Sequence, residues 1–333
     1  MKPIKVGLVG LGVMGRQHLR VLRDLAEFQV VAVSDPRIDE YGDLVGLGGE
    51  IGLHRSHVGL LEEDLDAVVI ASPTSFHVSQ SLDFLERDVH VLLEKPIAPD
   101  VNSAIKLVDA AAKSSAIFLV GHIERFNPAV DAVRSIIDRG NLGNILSISA
   151  RRVGVARPAV PATNVITDLG IHDIDTIQLL TGARPIVMGA TGGALPGNLD
   201  EDYAFIWLTY GKVTAAVETN WITPLKSRRL SVTGTGGFVD LDYVRQEVTV
   251  YQGQVDSVDS STTNFRAIWQ TAEGKPLWVN QGEPLRRELM HFANCILGED
   301  TPSISTEEAF AALAACQNAT EIIRQKVSST PND

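Results

Sequence analysis

The chain has 333 residues, which at about 150 residues per domain predicts two domains rather than one. Its formal net charge of −12 argues against a nucleic-acid partner, because binding to a phosphate backbone requires excess positive charge. Hydrophobic residues make up 44% and charged residues 21% of the chain, which excludes disordered and collagen-like classes. The N-terminus shows no signal segment and no apolar run is long enough to span a bilayer. We therefore expect a cytoplasmic protein without a membrane partner.

The first 122 residues alternate short apolar runs with amphipathic segments, the pattern of a parallel sheet covered by helices. The predicted strands are Ile4–Val9, Val30–Val33, Ala67–Ala71, Val89–Leu93 and Ile117–Val120, with a weaker one around Ile51. The predicted helices are Met14–Glu27, Ser75–Glu86 and Asp100–Lys113. Right-handed crossovers would wind these elements into a doubly wound α/β sheet, the first predicted domain.

Residues 123–333 are predicted to form a second domain in which strands dominate. Its predicted helices are Asn127–Arg139, Ile166–Leu180, Pro284–Leu297 and Thr306–Gln325. Its predicted strands are Ile145–Val153, Ile186–Ala190, Ala204–Leu208, Val213–Trp221, Arg229–Thr233, Gly237–Leu241 and Val248–Tyr251. Short glycine-containing turns favour an antiparallel meander, and the polar segment Gln252–Thr263 predicts a mobile loop. Cys295 and Cys316 lie in apolar helical segments, so neither a metal site nor a disulfide framework is predicted.

A glycine-rich turn, G-L-G-V-M-G, lies between the first predicted strand and the first predicted helix. This context matches the dinucleotide-binding pattern. Gly10 permits the tight turn, Gly12 lets the backbone approach a pyrophosphate, and Gly15 lets helix and strand pack closely. The helix N-terminus at Val13 and Met14 would then present N–H groups to the phosphates.

Asp35 ends the second predicted strand, 20 residues after Gly15. A carboxylate at this spacing binds the ribose hydroxyls of NAD, and its charge would repel the 2′-phosphate of NADP. The sequence therefore predicts NAD, with NADP less favoured. Arg37 weakens the exclusion of NADP, because an arginine can compensate a phosphate charge.

Two further segments are predicted at the carboxyl edge of the sheet, where such folds bind ligands. Ser72, Pro73, Thr74 and His77 follow one strand and should pass near the pyrophosphate. The segment Glu94-Lys95-Pro96 follows the next strand, and its proline favours an extended conformation for the lysine.

In the second domain, Asp168 and His172 lie four residues apart in a predicted helix. This spacing puts a carboxylate and an imidazole on one helix face.

Together, the glycine-rich turn, Glu94-Lys95-Pro96 and Asp168-x-x-x-His172 resemble the Gfo/Idh/MocA oxidoreductases over nearly the whole chain. The resemblance implies an α/β Rossmann domain followed by an α+β domain with an open, mostly antiparallel sheet. It implies NAD(P)-dependent oxidation or reduction of a sugar or cyclitol at a hydroxyl-bearing carbon.

The same resemblance implies roles for individual residues. Lys95 matches the lysine that contacts the reacting oxygen and the nicotinamide, with Glu94 among the cofactor-binding residues. Asp168 and His172 match the acid–base pair. The chemistry is consistent, because an unperturbed histidine titrates near pH 6.5 and suits the base, while an ammonium group stabilises a developing alkoxide.

A narrower similarity joins Gly121–Pro128 and Asp168–Asp175 to the branch of the family that oxidises C3 of UDP-N-acetylglucosamine. It adds His122 to the expected substrate-binding residues, with Lys95, Asp168 and His172.

A sugar nucleotide also requires local positive charge for its diphosphate. Arg125 and Arg157 are the best candidates, because each lies in a loop beside a motif. Arg151 and Arg152 would point to opposite faces of a strand, so at most one of them can reach the same site. The Lys226–Arg229 run is interpreted as a solvated turn.

Two alternatives stay open at this point. One is an inositol-type cyclitol or free-sugar dehydrogenase. The other, of a different class, is a nucleotide-binding regulatory module without turnover, against which the intact set of Lys95, Asp168 and His172 counts. We also expect a homodimer or homotetramer, joined through the uncovered face of the second-domain sheet, since an exposed apolar sheet face is costly in water.

Overall fold

Two separate sheets organise the chain. In the computed structural model, which describes residues 2–41, 51–155, 163–252 and 273–329, one sheet has six strands and the other eight. The six-stranded sheet belongs to a unit made of Met1–Phe126 and Glu283–Gln317. The eight-stranded sheet belongs to a unit made of Asn127–Gly282 and Asn318–Asp333.

The first sheet is parallel throughout. Its strands are β1 (Ile4–Val9), β2 (Phe28–Ser34), β3 (Gly52–His54), β4 (Ala67–Ile70), β5 (His90–Glu94) and β6 (Phe118–Gly121). Their order across the sheet is β3-β2-β1-β4-β5-β6, the doubly wound order of dinucleotide-binding folds. Each residue of β4 is fully buried, as expected for a strand covered on both faces. The predicted α/β class of this unit is confirmed.

The helices follow the predicted order along the chain, with one short unpredicted helix, His57–Leu60, added after β3. They are α1 (Val13–Asp24), α2 (His57–Leu60), α3 (His77–Leu85), α4 (Val101–Ala111), α5 (Pro128–Asp138), α6 (Ile171–Thr181), α7 (Pro284–Ile296) and α8 (Thr306–Ser329). Local capping explains some starts: the Asp100 side chain accepts the N–H of Ser103 at 2.8 Å and begins α4. Within the described residues, no helix is long and apolar enough to cross a membrane. In the same residues, no three His, Cys, Asp or Glu side chains are grouped as metal ligands.

The C-terminal part of the chain divides differently from the predicted boundary at residues 122 and 123. The compact unit of the first sheet extends to Phe126 and also contains Glu283–Gln317, which includes α7 and the start of α8. Leu289 and Phe292 of α7 are fully buried in the core of this first unit. An amphipathic helix shows in sequence that it must cover a core, but its period does not show which core that is.

The second sheet contains β7 (Ile145–Val153), β8 (Pro185–Gly193), β9 (Tyr203–Tyr210), β10 (Val213–Asn220), β11 (Ser227–Gly234), β12 (Gly237–Asp242), β13 (Glu247–Gln252) and β14 (Lys275–Leu277). Their order is β14-β13-β12-β11-β7-β10-β9-β8. All pairs are antiparallel except β7 with β10, which is parallel. The mostly antiparallel sheet is confirmed. The simple meander is wrong, because β7 inserts between β10 and β11. The predicted mobile loop, apart from Gln252, lies outside the described residues.

Candidate functional site

The glycine-rich turn joins β1 to α1. Two of its glycines lie too close to neighbouring backbone for a side chain, and the third faces open space. Gly10 has a φ of +91°, and a Cβ atom there would lie 2.7 Å from the carbonyl oxygen of Ala71. A Cβ atom on Gly15 would lie 1.9 Å from the carbonyl oxygen of Gly10. A Cβ atom on Gly12, by contrast, would meet no atom of the described residues within 4 Å. Gly12 therefore leaves space for a ligand at the start of α1.

The N-terminus of α1 is suited to an anion. In the part of the chain that the structure describes, no side chain caps this end. Val13 is 72% and Met14 36% exposed, so the first turn is accessible. The N–H groups at such a helix start have no partner inside the helix and bind phosphate readily. The residues present therefore fit the pyrophosphate of a dinucleotide.

Asp35 ties the end of β2 to the glycine-rich turn. Its Oδ2 atom accepts the N–H of Leu11 at 2.8 Å, and its Oδ1 atom accepts the N–H of Arg37 at 2.8 Å. The carboxylate thus lies at the turn, where this fold binds the ribose of its cofactor. The exposed Arg37 side chain packs on Tyr41, with its Nη2 atom donating to the tyrosine hydroxyl at 2.8 Å. Arg37 therefore lies beside Asp35 with an aromatic partner.

The residues predicted after β4, β5 and β6 lie at one edge of the sheet. Ser72 follows β4, Lys95 follows β5, and the buried His122 follows β6. Because β1, β4, β5 and β6 are parallel neighbours, their carboxyl ends lie side by side with the glycine-rich turn. Pro73 is exposed and Thr74 is half-buried at the start of a short 3₁₀ turn that leads into α3.

His77 joins two of these loops. Its Nδ1 atom lies 2.8 Å from the carbonyl oxygen of Pro96, and its Nε2 atom lies 3.0 Å from that of Ser72. Burial lowers the pKa of His77, although the two backbone contacts act to raise it. Because His77 is only 1% exposed, it can influence a cofactor only through the loops that it joins.

Glu94 braces the backbone of Lys95. Its Oε1 atom lies 2.8 Å from Nε2 of His18, and its Oε2 atom accepts the backbone N–H of Lys95 at 3.2 Å. Burial by itself raises the pKa of the Glu94 carboxyl, but the hydrogen bond and attraction of His18, together with Lys95, lower it below its usual value. An ionised carboxylate is therefore adjacent to the half-buried lysine. The sequence reasoning missed His18, which lies in the interior of α1 without a motif.

Asp168 and His172 lie at a change of helix type. Asp168 is in a π-helical turn, Ile166–Gly170, and His172 is in the first turn of α6. The spacing of four therefore spans the junction between a π turn and α6 rather than a single α-helix, and the shared face stays a prediction. Gly170 packs against β10: a Cβ atom there would lie 3.4 Å from Cγ2 of Thr219, an ordinary van der Waals contact. Both side chains are half-buried and thus accessible.

Asn164 anchors the start of this π turn. Its Oδ1 atom accepts the N–H of Thr167 at 3.0 Å, and its backbone oxygen accepts the N–H of Asp168 at 3.0 Å. Its Nδ2 atom donates to Glu201 at 3.0 Å and to Thr320 at 2.9 Å. Asn164 therefore ties the start of the turn that carries Asp168 to Glu201 and Thr320.

A buried ion pair holds the residue after His172. The guanidinium of Arg152 donates to both carboxylate oxygens of Asp173, at 2.8 Å from Nε and 3.0 Å from Nη2. The two side chains are 5% and 0% exposed, and the Arg152 guanidinium lies 4.8 Å from the centre of the Tyr243 ring. The pair links β7 to α6. Sequence alternation predicted opposite faces for Arg151 and Arg152, but no local pattern identified Asp173 as the partner.

The arginines predicted for a diphosphate lie in different environments. Arg125 is 4% exposed, and its Nη1 atom donates to the carbonyl oxygen of Ser303 at 2.6 Å. Arg125 therefore stabilises the interior of the first unit, and we do not propose it as a ligand of the substrate diphosphate. Arg151 pairs with Glu218 at 2.7 Å on the exposed face of the second sheet. Arg157 lies outside the described residues.

Two family models match the chain. An oxidoreductase family with an NAD-binding Rossmann fold matches residues 4–122, and the GFO/IDH/MocA C-terminal domain matches residues 130–240. The two matches together span more than half of the chain, in the order that this family shows. The cofactor class predicted from the glycine-rich turn is confirmed by the first match.

Individual proteins are similar at lower identity. The chain is 27% identical over 250 residues to the UDP-N-acetylglucosamine 3-dehydrogenase of Acidithiobacillus ferrooxidans, which covers 74% of this chain and 77% of that protein. It is 28% identical over 327 residues to inositol 2-dehydrogenase 4 of Saccharopolyspora erythraea, covering 95% and 92%. A solved structure of the Acidithiobacillus ferrooxidans enzyme GnnA superposes with a TM-score of 0.82 at 23% identity, covering 98% and 99% of the two chains. This last similarity shows the shared fold.

Proposed function

The chain belongs to the Gfo/Idh/MocA family of NAD-binding oxidoreductases, and we propose that it oxidises a secondary hydroxyl of a sugar or sugar nucleotide. The observation that carries this proposal is the grouping of three features at the carboxyl edge of the first sheet. A turn suited to pyrophosphate, the Asp35 carboxylate and the braced Lys95 lie together there. A dinucleotide site with a lysine beside it supplies the hydride acceptor and the positive charge that oxidation of a carbinol requires.

The chain's own residues would handle the proton and the charge on the substrate oxygen. A hydroxyl carbon can release a hydride only as its oxygen loses a proton, so a base must reach that O–H. We assign the base to His172, which takes the proton, and the stabilisation of the developing alkoxide to Lys95. Asp168 orients the imidazole and balances its charge. The nicotinamide, when bound, supplies the hydride-accepting carbon.

For the substrate we propose a sugar nucleotide, with oxidation at C3 of UDP-N-acetylglucosamine as the specific case. The similarity to a UDP-N-acetylglucosamine 3-dehydrogenase supports this reading. The similarity to an inositol 2-dehydrogenase supports the cyclitol alternative to nearly the same degree. Arg157 is the arginine retained for the diphosphate, as a prediction from its sequence position. The cytoplasmic location also stays a prediction.

One assay separates these readings. Formation of NADH should be followed with UDP-N-acetylglucosamine, with myo-inositol and with free N-acetylglucosamine as separate substrates. We expect turnover with the sugar nucleotide and a loss of its binding in Arg157→Ala that shrinks as salt rises. Turnover with myo-inositol alone would contradict the proposal of a sugar-nucleotide substrate. The broader proposal of a dehydrogenase would still hold. NAD binding without turnover on any sugar would favour the regulatory module.

The cofactor prediction concerns the choice between NAD and NADP. We expect NAD to bind at least about tenfold more tightly, because the Asp35 charge repels a 2′-phosphate. The variant Asp35→Asn should narrow this difference while keeping an oxygen for the N–H of Leu11. Dissociation constants for both nucleotides provide the measurement, and Asp39→Asn, an exposed carboxylate nearby, is the matched control. Equal or tighter NADP binding by the wild type would contradict the prediction and implicate Arg37.

The subunit prediction concerns the exposed face of the second sheet. Tyr203, Phe205 and Trp207 alternate along β9 and are 38%, 44% and 48% exposed. Ile186 and Met188 on the neighbouring β8 are 60% and 67% exposed.

Such a contiguous apolar face is typical of a self-association surface, so we propose a homodimer or homotetramer formed through it. The double variant Phe205→Lys, Trp207→Lys should lower the mass measured by light scattering after gel filtration. A wild type that elutes as a monomer would contradict this.

A further inference from the structure

Glu288 is a carboxyl group of the first unit that the proposed chemistry does not use. It lies on α7 and is fully buried. Neither of its carboxyl oxygens has a hydrogen-bond partner among the residues that the structure describes. An ionised carboxylate in such a place is very costly, because nothing replaces its hydration. The side chain therefore needs a proton of its own or a specific polar neighbour.

The neighbour is the braced segment that leads to Lys95. In the parallel pairing of β5 and β6, Glu94 lies opposite Gly121. A Cβ atom placed on Gly121 would lie 3.5 Å from the Cα atom of Glu94 and 3.7 Å from Oε1 of Glu288. Oε1 of Glu288 therefore lies beside Gly121, close to the end of β5. The Nδ1 atom of His18, whose other nitrogen contacts Glu94, is likewise buried without a partner in the described part of the chain.

The two carboxyl groups are in opposite electrostatic states. Burial raises the pKa of Glu288 well above its usual value, and the charge of Glu94 adds to this effect. Glu94 is held in its ionised form by His18 and Lys95, although its own burial opposes this. When the environments of two nearby carboxyl groups push their pKa values apart, one group stays protonated and the other stays ionised. Here Glu288 is the protonated group and Glu94 the ionised one.

Other ionisable groups lie on the elements around α7. They are His18 on α1, Glu94 at the end of β5, His122, Glu124 and Arg125 after β6, and Arg287 and His291 on α7 itself. Arg287 donates to the carbonyl oxygen of Phe126 at 3.0 Å, and His291 contacts Asp300 at 3.0 Å. Arg125 donates to Ser303. Of these groups, Glu94 is the one whose charge acts on Glu288.

We propose that Glu288 is a positioning residue: a neutral carboxylic acid that, together with His18, holds the Glu94 carboxylate and through it the backbone of Lys95. A neutral acid offers an O–H donor to the region of Glu94, whereas an ionised Glu288 would repel that carboxylate. The role in turnover rests on the proposed function, but the protonation state of Glu288 does not.

Infrared spectroscopy tests the protonation state without any substrate. A protonated carboxylic acid has a C=O stretch separate from the amide bands, and this stretch shifts in deuterated water. We expect the band at pH 7 in the wild type and in the control Glu283→Gln, which changes an exposed carboxylate at the start of α7. The band should be lost in Glu288→Gln. A folded wild type without this band at pH 7 would overturn the proposal.

Kinetics test the positioning role. Glu288→Gln keeps a neutral donor of the same shape, so its kcat and pH profile should stay close to those of the wild type. Glu288→Met fills the same space without a donor and should lower kcat about tenfold or more and shift the pH profile, since hydrogen bonds to charged groups are the stronger ones. Equal kcat values for the two variants would overturn the positioning role. If no sugar is oxidised, the proposed function fails, and the infrared band still decides the state of Glu288.

Discussion

Replacing His172 with alanine should lower kcat by about 10²–10⁴-fold, the range expected when an acid–base group is lost. The affinity for NAD should barely change, because the family model for NAD binding covers residues 4–122 and His172 lies in the other unit. Steady-state formation of NADH at saturating NAD, with a separate titration of NAD binding, measures the two effects. Lys95→Ala should cause a loss of similar size, since the alkoxide would lose its stabilising charge.

The control for this experiment is a histidine outside the candidate site. His57 contacts Asp83 at 2.8 Å at the surface of the first unit, and His57→Ala should retain turnover. A His172 variant with near-normal turnover on the physiological substrate would show that the base is a different residue. A loss of NAD binding in His172→Ala would point to a structural effect instead.

Elements with strong local signals could be predicted closely from the sequence. Both β1 and β7 begin and end at the predicted residues, because each is an apolar or alternating run bounded by turn residues. The glycine-rich turn was likewise predictable, since its requirements are set by backbone contacts within one strand–turn–helix segment.

Features that depend on distant partners could not be predicted in this way. The membership of α7 in the first unit depends on which core its apolar face meets, and the period of the helix carries no such information. The parallel pairing of β7 with β10 joins segments separated by about 60 residues and has no turn signal. The short, exposed β14 also went unpredicted, because three residues show no periodicity.

The candidate site shows the same division between local and distant information. Asp35 and Glu94 were identified from the motifs, whereas their partners Leu11 and His18 emerged only from the structure. Arg125 was chosen for a diphosphate because it follows a motif, and its burial against Ser303 makes it a support of the first unit. A charged residue next to a motif is therefore weak evidence for binding until its exposure is known.

The Arg152–Asp173 pair should dominate the stability of the second unit around His172. Removing one member of a buried ion pair leaves the other charge without compensation, at a cost of about 3–5 kcal/mol. Asp173→Asn should therefore lower the urea midpoint and speed the hydrogen exchange of amides in α6 and β7. The matched control is Arg151→Met on the same strand, which breaks a more exposed pair with Glu218 and should cost about 1 kcal/mol or less.

A double variant separates stability from positioning in this pair. Arg152→Met combined with Asp173→Leu removes both charges and should recover most of the lost stability, since apolar replacement of a buried pair is often neutral or better. If the pair orients His172, the same variant should still turn over slowly, because position 173, next to His172 on α6, would no longer be held to β7. Recovery of both stability and kcat would show that the pair serves folding alone, and the orientation of His172 would then depend on the π turn and Asn164.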